Sequence, residues 1–311
     1  MTFPLIKIRL TFKALQDINF PYYAGSSLRG VFGKSLRRVS CLTPKTKCTS
    51  CAMIKTCPYA SVFENGYAAL GKREEIPNPY VIEPMPLGQK QVKQGEIFSF
   101  EQILFGTAVE KLSYILLAWV KTGNLGFTKE RTTAKLQKIE QVEQNGNVLL
   151  LHDLENPEQE TDTPSPVYTP PAEKQVNRLK IVLETPLRIH RFGHPIIPSA
   201  LNAKDFLLSL IRKQINMAQH HIADFPSFDK NTLYNATDSV RMENADLHWL
   251  DWKRYSSRQQ KEIALGGIIG SFELCGNLTT LYPYIIMGQY FHCGKSTVMG
   301  LGKYHVLKHC E

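Results

Sequence analysis

Apolar and polar positions alternate from near the start of the chain. Ile6, Ile8, Leu10 and Phe12 face one way, and Lys7, Arg9, Thr11 and Lys13 the other, which predicts a strand with one buried face. Beyond the turn-like FPYYAGSS the period lengthens. Leu28, Val31, Phe32, Leu36 and Val39 recur at helical spacing and predict a helix over about 26–39, with Arg29, Lys34, Arg37 and Arg38 as its basic complement. Ser26 or Ser27 is the expected N-cap. An irregular, Pro-rich stretch extends through Leu87. A strand over about 95–100 and a helix over about 105–120 follow, and NVLLLHD after Asn145-Gly146 reads as the second arm of a hairpin.

The second half opens as the first did. Leu179, Ile181 and Leu183 alternate with Lys180, Val182 and Glu184, and a helix is expected over about 203–219, with Phe206, Leu207, Leu210, Ile211 and Ile215 on its apolar face. IALGGIIGSFELCG predicts a strand with a bulge or a close backbone approach at Gly266-Gly267. Leu281 to Phe291 forms a further helix or strand, and KYHVLKH a short last strand. Strand, helix, strands, helix, strand thus occurs twice. The order predicts an α+β chain of two tandem ferredoxin-like (RRM-like, βαββαβ) domains. Between them, the 24 residues from His152 to Gln175 hold five prolines and few apolar positions. The expected divisions are a domain over 1–152 with a Cys-rich insertion at about 41–64, an acidic Pro-rich linker or loop over 153–175, and a domain over 176–311 with a glycine-rich loop.

Composition narrows the classes. A chain of 311 residues that is 43% hydrophobic can build two real cores and is not a disordered tail. It has no run of eighteen apolar residues, so no membrane span is expected. The opening MTFPLIKIRLTFK carries charges inside its apolar stretch and does not read as a signal peptide. The formal net charge is +9. The linker holds six acids and one lysine, which leaves 36 basic residues against 22 acidic ones, or +14, on the rest. Such an excess suits a polyanionic partner, because neutralising phosphates releases counterions. Four of the seven cysteines cluster between Cys41 and Cys57, and without an export signal a reducing cytoplasm is the expected compartment.

Four features could carry chemistry. The first is the glycine-rich end HCGKSTVMGLGKYH. Gly294, Gly300 and Gly302 let backbone approach a phosphate, Ser296 offers a hydroxyl, and Lys295 and Lys303 add charge. The same residues also suit a tight turn between terminal strands. A nucleotide P-loop is excluded: five residues, not four, separate Gly288 from Gly294-Lys295, and no parallel-sheet helix can follow so near the end. The second is Cys41, Cys48, Cys51 and Cys57, separated by six, two and five residues, which suits a structural Zn²⁺ knuckle with no open coordination site. The third is DWKRYSSRQQ, where Lys253, Arg254 and Arg258 offer phosphate contacts beside Trp252 and Tyr255, which can stack on unpaired bases; a solvated charged face is the alternative. The fourth is the nine histidines, none in a diagnostic motif; His220-His221 at a helix end suits the helix dipole.

Three of these stretches together resemble one family. GSSLRGVFG at 25–33 is followed by the cysteines and CPYASVFE at 57–64. WKRYSSRQ at 252–259 runs into LGGIIG at 265–270. GKST at 294–297 precedes GLG at 300–302. In this order they are similar to the CRISPR-associated RNA-processing endoribonucleases of the RAMP superfamily, the Cas6 family. The resemblance implies two ferredoxin-like domains that bind CRISPR repeat RNA within precursor crRNA. It also implies metal-independent cleavage, in which the RNA's own 2′-hydroxyl attacks the adjacent phosphorus and leaves a 2′,3′-cyclic phosphate and a 5′-hydroxyl.

Family members often carry a histidine on or near the first helix, where this chain has Lys34. The resemblance then implies Lys34 and Arg29 near the scissile phosphate, helped by Tyr22 or Tyr23, with Arg37 and Arg38 binding RNA. In the alternative Lys34 only holds backbone, and His194 or His220 moves the proton. A non-catalytic crRNA-binding subunit, associated with other subunits of a CRISPR effector complex, is the second reading. A zinc-dependent enzyme using the cysteines is the third.

Overall fold

The computed structural model describes residues 2–44, 46–64, 76–88, 90–223, 225, 229–256 and 261–307, with backbone alone at 254–256 and 261–264. The chain forms two compact units. One comprises residues 2–168 and 217–224; the other comprises 169–216 and 225–311, together with residue 1. Among the described residues no helix is long and apolar enough to cross a membrane.

The N-terminal unit is organised by its first strand, Phe3–Ala14. Ile6, Ile8, Leu10 and Phe12 are all but fully buried, as the alternation requires. The strand lies inside an antiparallel sheet in the order Tyr80–Glu83, Ile97–Phe105, Phe3–Ala14, Ala134–Val142, Val148–Asp153. Phe12 stacks on Phe98 and Phe100, at ring separations of 5.6 and 5.7 Å. The helices Gly25–Ser40 and Leu112–Thr122 pack together, with Phe32 stacked on Trp119 at 5.0 Å and the Ser35 hydroxyl donating to the Ala118 carbonyl. On the other side of the strand, Lys7 pairs with Glu83 and Glu101, and Arg9 with Glu101.

Some local expectations change. The first helix has Ala24 at its N-cap and no side-chain cap, so neither Ser26 nor Ser27 fills that role. The strand expected at 95–100 extends to Phe105, and a 3₁₀ turn at Gly106–Lys111 precedes the helix. The hairpin at Asn145-Gly146 forms, with Gly146 at a positive φ of 91°. Within the Pro-rich segment, Val167–Tyr168 returns to pair with Phe3 and Pro4.

The C-terminal unit has a four-stranded antiparallel sheet in the order Arg241–Leu250, Gly267–Cys275, Arg178–Leu187, Tyr304–Leu307. The helix Ala203–His221 links its first and second strands in sequence, and Tyr282–Phe291 its third and fourth. Phe206, Leu210, Phe272, Ile285 and Tyr304 form its core. The Tyr304 hydroxyl is satisfied by the Ile285 carbonyl at 2.6 Å. The close approach expected at Gly266-Gly267 is present: a side-chain carbon at Gly267 would lie 2.7 Å from the Leu187 carbonyl oxygen. DWKRYSSRQQ contributes one arm of a hairpin, Lys253–Ser256 paired with Lys261–Ala264.

Candidate functional site

The glycine-rich segment is bound tightly to one end of the strand Arg178–Leu187. Lys295 N–H donates to the Arg188 carbonyl at 2.8 Å and Gly302 N–H to the Pro186 carbonyl at 3.0 Å. The Thr185 hydroxyl donates to the Gly300 carbonyl at 2.7 Å and accepts from Lys303 N–H at 2.8 Å. These contacts explain two of the glycines. Gly294 has φ +79°, and a side-chain carbon there would lie 2.4 Å from the Arg188 oxygen; at Gly302, φ +69°, it would lie 1.8 Å from the Cys293 oxygen. Ser296 between them is left-handed as well, at φ 63°. The segment continues only into a three-residue 3₁₀ turn, Thr297–Met299, beside an antiparallel sheet, so it lacks the helix a nucleotide P-loop would open.

This packing brings basic side chains together. His190 lies in a two-residue-loop hairpin, His190–Arg191 against His194–Pro195. Its pKa is lowered, first by burial, then by the charges of Lys295, Arg188 and His194. The three charged groups acting on it are all basic. Arg188 is held by its own donation to the Gly266 carbonyl at 2.7 Å, and burial lowers its pKa too. Of these four residues, sequence reasoning had singled out Lys295 and His194. It missed Arg188 and His190, whose only signal was their place directly after an apolar strand.

Lys213 was also missed. It is half-buried on the helix Ala203–His221, and its ammonium donates to the Thr297 hydroxyl of the glycine-rich segment. Burial takes its pKa down to about 7, against the pull of the neighbouring Cys293 thiol. Burial likewise pushes Cys293 up to about 12, so this thiol stays protonated. A lysine near neutrality beside a hydroxyl can give or take a proton in the physiological range.

In the N-terminal unit the exposed face of the first helix carries Gly30, Lys34 and Arg38, one turn apart. Lys34 is therefore free to meet a phosphate. Arg29 turns inward: its guanidinium lies 4.5 Å from the Phe63 ring centre, and its charge acts on the buried Tyr80 hydroxyl. Tyr23 is 2% exposed and belongs to the core, so of the two tyrosines only Tyr22 reaches solvent. Arg37 lies over Tyr59 and donates to the Pro44 carbonyl at 3.3 Å.

Cys41, Cys48, Cys51 and Cys57 are free thiols. Cys51 contacts the Thr43 hydroxyl at 3.4 Å. Among the described residues no group of three or more His, Cys, Asp or Glu side chains is placed to hold a metal. Lys253 is exposed on its hairpin; Arg254 and Tyr255 are described by backbone alone, and Arg258 lies outside the described residues.

The expected dipole role of His221 gives way to a buried one. Its Nε2–H donates to the Pro77 carbonyl at 2.7 Å, which leaves Nδ1 to accept from the Thr107 hydroxyl at 2.9 Å. Burial takes its pKa down to about 4, so it is neutral.

Residues 3–167 match the AF_1859_N family, described as an N-terminal domain, and residues 181–304 match the family of the CRISPR-associated endoribonuclease Cas6. No curated protein sequence matches the chain. Among solved structures, it is similar to a Cas6 product complex with a TM-score of 0.60 at 13% identity, covering 97% of this chain and 100% of that one. For Thermus thermophilus Cas6 the values are 0.57, 12%, 98% and 99%. For the partial Cas6-RT-Cas1–Cas2 complex they are 0.58 and 14%, covering 98% of this chain and 46% of the other. At such identities the likenesses speak for the fold. The family matches fall in order along both units: residues 181–304 match the Cas6 family, and the whole chain shares the fold of solved Cas6 structures.

Proposed function

We infer that the protein binds CRISPR repeat RNA and cuts precursor crRNA without a catalytic metal. Each unit is read as a ferredoxin-like βαββαβ domain, because in each sheet the four main strands lie in the order second, third, first, fourth. The observation that carries the functional reading is the cluster of basic groups Arg188, His190, His194 and Lys295, gathered beside a glycine-rich segment. Such a cluster is costly to assemble without an anion, and a phosphodiester backbone supplies one.

In the proposed reaction the 2′-oxygen bonds to the adjacent phosphorus and the 5′-oxygen leaves. A base takes the 2′-hydroxyl proton and an acid supplies one to the leaving oxygen. The products are a 2′,3′-cyclic phosphate and a 5′-hydroxyl. Lys34, exposed on the first helix, suits stabilisation of the extra negative charge of the phosphorane. Lys34 is the proposed proton carrier, with His194 or His220 as the alternative. A structural zinc on Cys41, Cys48, Cys51 and Cys57 is part of this proposal; the Cys48 thiol already feels Cys57 and Cys41.

The test is incubation of the protein with its repeat RNA in EDTA. Cleavage is expected there, and an RNA with a 2′-deoxy at the cut site should be inert; cutting of that RNA would overturn the mechanism. Lys34→Ala should retain binding and lose rate. Binding with no cleavage by the wild type would instead identify a crRNA-binding subunit of a larger complex. Metal analysis with and without chelation tests the zinc separately.

A further inference from the structure

The hairpin beside the cation cluster ends in an unusual residue. Its two-residue loop is Phe192-Gly193, with φ +51° and +84°. Two positive φ values are what a tight turn between twisted strands demands, and Asn-Gly or Asp-Gly meets that demand at least cost. A bulky aromatic in the left-handed region is strained. Phe192 gains nothing from burial in return, since it is 95% exposed, the most exposed large hydrophobic residue among those described.

The base of the hairpin, by contrast, is fixed. Ile189 and Ile196 are buried in the core of the C-terminal unit, and Ile196 N–H donates to the Ile189 carbonyl at 2.9 Å. Arg191 is tied to Asp205 and to the Ala200 carbonyl. Folding therefore accounts for the hairpin but not for the ring at its tip. His190 and His194 flank that tip, and His190 also feels Arg188 and Lys295. An exposed apolar ring on a fixed hairpin, beside a set of basic groups, matches a chain that alternates flat bases with phosphates.

We propose that Phe192 is a stacking platform for one unpaired base of the bound RNA, while the neighbouring Arg188, His190, His194 and Lys295 hold its phosphates. This rests on the RNA-binding reading above and adds a base subsite to it. Because every base has a face to stack, the platform fixes the position of an unpaired nucleotide with little sequence preference.

The experiment uses fluorescein-labelled repeat RNA and a set of the same RNA carrying single abasic sites. For the wild type, one abasic position should weaken binding by roughly 5- to 150-fold, the usual range for one base–aromatic stack. Phe192→Ala should weaken binding of intact RNA to a similar degree, and add little on RNA lacking that one base. Phe192→Trp should restore binding. Phe192→Gly should bind as weakly as the alanine variant, yet melt at the same temperature as wild type or higher, because glycine relieves the left-handed strain.

Equal affinity of Phe192→Ala and wild type for intact RNA overturns the proposal. So does a loss spread evenly over all abasic positions. A change in oligomeric state with RNA affinity unaltered also overturns it, and makes the tip a protein contact. Failure of the wild type to bind RNA at all would sink the functional reading itself, and is distinguishable from each of these.

Discussion

At the scale of single residues, the informative groups are those whose ionisation the fold has moved. Lys213 has its pKa near 7 in the folded protein, against 10.5 for a free lysine. The unfolded chain then binds more protons above pH 7, so this residue makes stability rise with pH. Urea unfolding between pH 7 and 8.5 should show that rise in the wild type and a smaller one in Lys213→Met. His221 acts at lower pH. Its pKa of about 4 lies below the free value of 6.5, so stability is present above 6.5 and is lost as pH falls toward 4. His221→Ala strands the Pro77 carbonyl and the Thr107 hydroxyl, and should cost about 1–3 kcal/mol at pH 7 in the same assay. At His190 burial is joined by three basic neighbours. RNA phosphate would oppose the depression caused by Lys295, Arg188 and His194, so RNA affinity should increase as pH falls from about 7 to 6 in filter binding. A flat profile there would mean that His190 does not meet the phosphate.

At the scale of elements, the first helix and the glycine-rich segment show how position is built. Gly33 leaves space for the Phe63 ring, whose nearest atom would lie 2.3 Å from any side-chain carbon at that site. That ring in turn takes the Arg29 guanidinium, which is why Arg29 faces inward while Lys34 faces out. The glycine-rich segment depends on Gly294 in the same way. Gly294→Ala meets both a positive φ and the Arg188 carbonyl, and should destabilise by at least about 1–2 kcal/mol. It should also weaken RNA binding beyond that loss, because Lys295 N–H is hung on the same carbonyl. Melting temperature and affinity, measured on one preparation, check both effects.

At the scale of the whole molecule, the net charge of +9 sets the response to salt. RNA affinity should fall steeply with salt, by a slope of about 0.7 per phosphate neutralised on a single strand. Lys295→Ala, which removes one such contact, should reduce that slope by about 0.7. Much of this molecule was legible in its sequence. The alternation at Ile6–Phe12 and Leu179–Leu183, the helix spacings and the Asn145-Gly146 turn each act over a few residues, where periodicity and turn chemistry suffice. The glycine-rich end was legible too, since glycine at close intervals has few other uses. What the sequence could not place were the encounters between distant residues. Arg188 meets Lys295, Lys213 meets Thr297 and His221 meets Thr107 only because the sheets and helices carry them there. Tyr22 and Tyr23 are alike as letters, and burial alone makes one a surface group and the other core. The sequence by itself determined the elements, the basic excess and the glycines that let backbone pack against backbone. Only the tertiary structure decided which cations share a site and which protons they hold, because both depend on burial and on charges brought close from far along the chain.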